Sequence, residues 1–482
     1  MEDNKLSRKV MLGYGIYDLG GNLFFTAMAF ALFIYLTDTV LIAPALAGAI
    51  VAIGKIWDAV TDPVVGYLSD RTKTRWGRRR PYMFFGSILL VFAMIFMFTN
   101  PLLVFDKATF FSPKVFAEGF DWTKAAWNPK EHQTFLLIWG IVFYCFLNLA
   151  YTIVNIPYSS LTPELTKDYH ERTVLNGYRF GCAVFGTLLG AGASFPIVYL
   201  FPNTNIGFMA LGFIFGMVML ITALITFFSI REPEWHGAEL TQGFFKTYFK
   251  VFRNKPYLII TITYMFHLLA LSVVTGVAAY YFKYIHQAKE GDEVTMAMLI
   301  LLVTAMLFIP VSVVLGKKIG KKFVYMVGMV AFSLSILVIG TIGHIMPMNF
   351  SFIMMFSAGI GVGFMYVPPY AMLPDTVEYD YLISGERTEG SFYAIFLFFS
   401  KVGQAVALAT IGLVLQLTNY TENIVPQPDP LANFGILLLM GTIPAIFFFI
   451  AMVIVKRYPI TEERYAEILK EIEAMEAAKA EK

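Results

Sequence analysis

The chain has 482 residues, 57% of them hydrophobic and 16% aromatic, with 15% charged and a formal net charge of +2. Mean hydropathy is +0.65. A composition this apolar excludes a soluble protein of this length and points to a polytopic membrane protein. The small net charge says little about partners, because placement of charge matters more than its sum in such a chain. Membrane lipids are the expected surroundings, and no nucleic-acid partner is expected. Only Cys145 and Cys182 are present, both in apolar runs, so neither a disulfide framework nor redox chemistry is expected.

Apolar runs near 12–36, 42–69, 82–103, 133–158, 174–201, 206–229, 257–285, 294–315, 323–343, 350–373, 391–417 and 432–456 predict twelve spanning helices. An all-α membrane protein follows, since a helix satisfies its own backbone groups where no water is available. The first run lacks the short core and cleavage site of a signal peptide and should stay as a helix. It carries Asp18 and Asn22 four residues apart on one face. Asp18, two turns from the start, suits either an inner-gate hydrogen bond or direct ligand contact.

The second run holds "KIWDAVTDP", with Lys55, Asp58, Thr61 and Asp62 at bilayer depth. Ionisable residues there are costly and normally face a bundle interior or an aqueous cavity. Asp58 and Asp62 lie one turn apart, with Cβ atoms about 6 Å from each other. Two such carboxylates need a proton, a small cation or a base to stay together in low dielectric. Lys55 offers an internal salt bridge, but one lysine cannot neutralise two acids. The alternative is a cation seat, with Thr61 as a neutral oxygen and Pro63 freeing a carbonyl one turn back.

The loop that follows, "SDRTKTRWGRRR", contains Asp70, Arg71, Gly77, Arg78, Arg79 and Arg80. Positive charge marks topology here, and Asp70 paired with an arginine could also act as a gating latch. Basic loops recur at 246–255, 316–323 and 456–457, while intervening loops such as "PNTN" carry almost no Lys or Arg. This alternation predicts that both termini are cytoplasmic. The segment 104–132, with Trp122 and Trp127, is long for a loop and reads as an interfacial anchor or a cap on the outer mouth.

Later runs carry isolated polar residues: Arg179 in the fifth, His267 in the seventh and Lys401 in the eleventh. Neither Arg179 nor Lys401 has an acid within a turn of its own helix, so cross-helix pairing and ligand binding both remain open. His267 reads as a satisfied structural histidine. The stretch 231–256, "FFKTYFKVFRNK" within it, reads as a surface-lying linker between bundles at 1–230 and 257–457. "GKKIGKKF" after the eighth run repeats the position of "RTKTRWGRRR" after the second, as two repeated six-helix halves require. The tail, 458–482, places Tyr465, Ile468, Leu469, Ile472 and Met475 on one face of an amphipathic helix. Scattered histidines without ligand spacing, no HExxH and no paired cysteines argue against an enzyme.

"GYLSDRTKTRWGRRRP", "KIWDAVTDPVVGYLSD", "IPYSSLTPELTKDYHERTVLNGYR", "PDTVEYD" with "GERTEG", and "FSKVGQA" occur in this order along nearly the whole chain. Together they resemble the glycoside-pentoside-hexuronide:cation symporters of the major facilitator superfamily, of which melibiose permease is a member. The resemblance implies the major facilitator fold and cation-coupled transport of a sugar, glycoside or hexuronide. It implies a site for sodium or a proton at Asp58, Thr61 and Asp62 with Thr152, and no other cofactor. Cargo contacts would be Asn22, Tyr151, Asn155, Ser159, Arg179 and Lys401, with Asp18 beside them. The melibiose permease pattern has aspartates at Asn22 and Asn155 and a tryptophan at Ser159, so a cargo bearing a carboxylate or sulfonate is expected to be tolerated better. A cation-independent facilitator and a lysolipid carrier of the same fold are the competing readings. A monomer in the cell membrane, the inner membrane in a bacterium, is expected.

Overall fold

A computed structural model describes residues 6–72, 74–101, 129–165, 169–232, 252–288, 292–384 and 389–480. Twelve of its helices are long and apolar enough to cross a membrane. Helices 1 to 6 are Arg8–Thr39, Pro44–Arg71, Arg80–Phe98, Gln133–Leu165, Tyr169–Tyr199 and Thr204–Ser229. Helices 7 to 12 are Lys255–Ile285, Asp292–Ile319, Lys321–Ile342, Met348–Ile383, Glu389–Leu417 and Pro430–Val455. A thirteenth, Glu462–Ala480, follows the last span. Every predicted run falls on one of the twelve. The largest difference is at helix 10, which continues about ten residues past the predicted end through the polar "PDTVEYDYLI". Hydropathy marks where a chain leaves hydrocarbon, not where its helix stops, and this extension packs against helix 13.

The chain groups into two compact units: Met1–Gly237 with Thr275–Leu299 and Leu408–Gly435, and Ala238–Val274 with Ile300–Ala407 and Ile436–Lys482. In the first, Met11, Tyr14, Tyr17, Met83, Val154 and Tyr158 form a buried core shared by helices 1, 3 and 4. In the second, Tyr257, Tyr264, Leu373, Phe392 and Phe396 do the same for helices 7, 10 and 11. His267 is buried there with Nδ1 3.0 Å from the Tyr325 hydroxyl, the structural role its sequence suggests.

Lipid offers no hydrophobic drive between helices, so close backbone approach matters more than side-chain bulk. Gly186 and Gly190, one turn apart on helix 5, face helix 1. A Cβ on Gly186 would lie 2.0 Å from the Leu19 carbonyl oxygen, and one on Gly190 2.7 Å from that of Leu23. Helices 9 and 12 meet in the same way, where a Cβ on Gly340 would fall 2.6 Å from Gly441 Cα.

Correspondences between the first and second six helices appear at both ends of the helices. At the end carrying the basic loops, helix 3 is preceded by Gly77 at φ 103° and helix 9 by Gly320 at φ 89°, the left-handed region that only glycine enters cheaply. Arg79 then donates to the Ser160 carbonyl on helix 4, and Lys321 to the Ala371 carbonyl on helix 10 at 3.0 Å. Arg80 donates to the Phe227 carbonyl of helix 6 at 2.8 Å, and Lys322 to that of Tyr458, just past helix 12, at 3.0 Å. At the opposite end, helices 1 and 7 both finish in one π-helical turn, Tyr35–Thr39 and Tyr281–Ile285. Each is followed by a residue at positive φ, Leu41 and Gln287.

In helix 13, Ile468 and Ile472 are buried while Leu469, expected on the same face, is exposed, and Arg464 pairs with Glu467 and Glu471. Most of the segment 104–132, including Trp122 and Trp127, and most of the linker 231–256 lie outside the described residues.

Candidate cation seat and cargo site

Helix 2 sorts its residues by face. Ile53, Ile56, Trp57, Val60, Val64 and Leu68 are exposed along one side, while Lys55, Asp58 and Thr61 are buried on the other. The polar side meets helix 4, because Gly54 leaves room there: a Cβ at that position would fall 2.0 Å from the Tyr144 ring. Close approach brings the Thr152 hydroxyl to 2.9 Å from Asp58 Oδ1 and 3.1 Å from Asp62 Oδ1. Asp58 is 4% exposed and Thr152 1%. The hydroxyl has one hydrogen and can donate to only one carboxylate at a time. Two carboxylate oxygens and a hydroxyl oxygen therefore converge on one point. Such an all-oxygen set fits a hard monovalent cation or a shared proton. Thr61 faces the same side but donates to the Asp58 main-chain carbonyl at 3.2 Å, leaving only its lone pairs for a cation. The Lys55 ammonium lies 5.6 Å over the Phe25 ring.

A second polar centre forms where helices 1, 4 and 5 meet. Arg179 Nε donates to Asp18 Oδ2 at 2.7 Å, and the Tyr158 hydroxyl donates to the same oxygen at 2.7 Å. Arg179 also stacks over the Tyr158 ring at 4.8 Å. Of the two roles left open for Arg179, cross-helix pairing is the one seen, and Asp18 is its acid. Asn22 points one amide hydrogen back at the Asp18 main-chain carbonyl, 2.8 Å away. Tyr151, adjacent to Thr152 in sequence, turns to helix 1 and stacks on Phe24 at 4.8 Å. Consecutive residues of helix 4 thus serve the two centres, Thr152 the carboxylates of helix 2 and Tyr151 the face of helix 1. Asn155 is partly buried and Ser159 exposed, and neither hydrogen-bonds to a described residue. Lys401 is partly buried on helix 11 in the second unit.

In the basic loop, an acid the sequence did not single out meets the arginines. Glu232, just past helix 6, accepts from the Arg79 backbone N–H at 3.0 Å and lies 3.5 Å from Arg78 Nε. The Asp70 side chain lies outside the described set, and Arg71 is exposed at the end of helix 2. Tyr158 was missed for a different reason: an aromatic in an apolar run reads as packing, and its hydroxyl matters only once Asp18 and Arg179 are beside it.

The sequence profile of the family described as MFS/sugar transport protein matches residues 13–116 and 119–462. The chain belongs to that family. It is a multi-pass integral membrane protein of the major facilitator fold, among relatives that are transporters rather than enzymes. A glucuronide carrier protein homolog of Escherichia coli K12 is 26% identical, over 98% of this chain and 96% of that one. A sodium-dependent lysophosphatidylcholine symporter of Danio rerio is 27% identical, over 91% and 83%. Among solved structures, a D-xylose-proton symporter matches with TM-score 0.64 at 15% identity, over 94% of this chain and 98% of that one. A nucleoside transporter matches with TM-score 0.61 at 13% identity, over 94% and 100%. These last two bear on the fold alone.

Proposed function

We propose that the protein is a symporter that uses a sodium ion or a proton at Asp58, Asp62 and Thr152 to drive uptake of a sugar, glycoside or hexuronide by alternating access. The observation that carries this reading is the single Thr152 hydroxyl within hydrogen-bonding distance of both carboxylates. A cation or proton bound there would be shared between a buried Asp58 and a partly buried Asp62, and two carboxylates this close favour taking one up. Asn22, Tyr151, Asn155 and Ser159 supply neutral polar groups for hydroxyls. Arg179 supplies charge, held by Asp18 until a cargo anion competes for it. Basic loops on the cytoplasmic side put both termini there, and the halves 1–230 and 257–457 would rock as units around the site.

Uptake into membrane vesicles of a labelled panel of neutral glycosides, hexuronides and lysophosphatidylcholine, with sodium and pH gradients imposed separately, tests this reading. Concentrative uptake of one sugar class under one gradient, abolished by Asp58→Asn or Asp62→Asn while exchange persists, is the expected result. Accumulation that survives either substitution removes the cation assignment. Uptake that only equilibrates favours a facilitator. Uptake of the lysolipid alone favours the second reading, which rests on the relation to the Danio rerio symporter.

A further inference from the structure

At the end opposite the basic loops, the first unit contains a polar knot centred on Asp38. The Asp38 side chain is 4% exposed, yet four donors converge on its carboxylate. Lys283 Nζ is 2.5 Å from Oδ2, and the Tyr284 hydroxyl donates to the same oxygen. The Tyr420 hydroxyl donates to Oδ1 at 2.6 Å and Thr37 Oγ1 to Oδ1 at 2.9 Å. Four donors fill the lone pairs a carboxylate has. Lys283 also reaches Asn423 Oδ1 at 2.9 Å, and Asn423 Nδ2 donates back to the Asp38 main-chain carbonyl. Thr37 is 2.5 Å from the Tyr280 hydroxyl. Three separate pieces of chain are tied here: the last turn of helix 1, the last turn of helix 7 and the loop between helices 11 and 12.

We propose that Asp38 and Lys283 are gating residues, the ion pair that latches this end shut and must part each time the site opens there; the proposal rests on the alternating-access reading above. The tied turns are the paired π-helical turns of helices 1 and 7, and Asp38 and Tyr284 are each the fourth residue of their turn. In a transporter built from repeats, equivalent helices meeting at one end are where closure occurs. Isolated π turns interrupt the regular helix ladder and recur at functional positions. The chemistry favours a parting contact over a permanent one. A buried ion pair adds little net stability compared with apolar packing of the same volume, because both charges must be desolvated. The same charges lose little when the seam opens, since water replaces each partner, whereas an opened apolar seam would expose hydrocarbon. The loop is shaped for this role: Asn419 and Asn423 both sit at positive φ, which asparagine tolerates, and Asn423 reaches Asp38 from there.

The test uses the full chain with Cys145→Ser and Cys182→Ser, carrying Thr37→Cys as a reporter, since Thr37 is 1% exposed. A membrane-impermeant maleimide is applied in turn to each face of oriented vesicles. Asp38→Asn and Lys283→Met should each raise the labelling rate about tenfold from the face opposite the basic loops, by shifting the population towards the open state. Both should also slow concentrative uptake, and the double exchange Asp38→Lys with Lys283→Asp should recover part of each effect. Tyr420→Phe, which removes one hydroxyl and keeps the ion pair, should give an intermediate rate and covers the case in which a charge variant fails to fold. Unchanged labelling in folded variants overturns the proposal, as does faster labelling with uptake intact. Labelling requires neither cargo nor coupling ion, so it decides the latch even if no member of the uptake panel is transported.

Discussion

Thr152 shows how much one hydroxyl can be asked to do. It is 1% exposed and touches both Asp58 and Asp62. Thr152→Val keeps the shape and removes the oxygen, so helix packing should survive. A hydrogen bond to a charged group contributes about 1.5–3 kcal/mol, which sets an expected weakening of apparent coupling-ion affinity of about tenfold or more. Cation-dependent uptake measured against ion concentration checks this, and an unchanged half-saturation concentration would remove Thr152 from the seat. The two acids were legible in the sequence because charge in hydrocarbon is conspicuous. Thr152 came only from the family resemblance. Tyr158 and Glu232 gave no sign, since a tyrosine in an apolar run and a glutamate at a helix end are ordinary until their partners are known.

Helices here are positioned by absence of side chain as much as by its presence. Gly186 meets the Leu19 carbonyl, a backbone atom that cannot swing aside, whereas Gly181 on the same helix has no atom of the described residues within 4 Å of an added Cβ. Gly186→Ala should therefore destabilise the protein by about 1–3 kcal/mol through overpacking. Gly181→Ala should be neutral or stabilising by about 0.5–1 kcal/mol, because alanine loses less backbone entropy in a helix. Thermal unfolding of the two variants in the same detergent compares them directly, and equal melting temperatures would mean helices 1 and 5 are not held at that contact. Sequence reading placed all twelve spans but stopped helix 10 short, where "PDTVEYDYLI" is polar enough to leave hydrocarbon yet stays helical against helix 13.

At the scale of the whole molecule, the repeat is carried by geometry more than by residue identity. Arginines 79 and 80 and lysines 321 and 322 reach equivalent carbonyls through different side chains, and tyrosine stands in helix 7 where aspartate stands in helix 1. Such a repeat is faint in the sequence, which offers only "RTKTRWGRRR" and "GKKIGKKF" as its trace. An even number of spans, with the basic loops expected on the cytoplasmic side, predicts that reporters fused at either terminus are active only in the cytoplasm. An enzymatic reporter that works on only one side of the membrane checks it, and opposite results at the two ends would mean an odd number of crossings.

By itself the sequence determined the membrane class, the twelve spans, the loops that carry positive charge and the two carboxylates of helix 2. These follow from transfer energies that each residue meets independently of its neighbours. Only the tertiary structure decided that Thr152 bridges those acids, that Asp18 holds Arg179 with Tyr158, that Glu232 receives the loop arginines and that Asp38 is tied to Lys283. Each of those is a contact between side chains far apart in the chain, and polar groups in hydrocarbon are matched by distance and direction, which no spacing along one helix encodes.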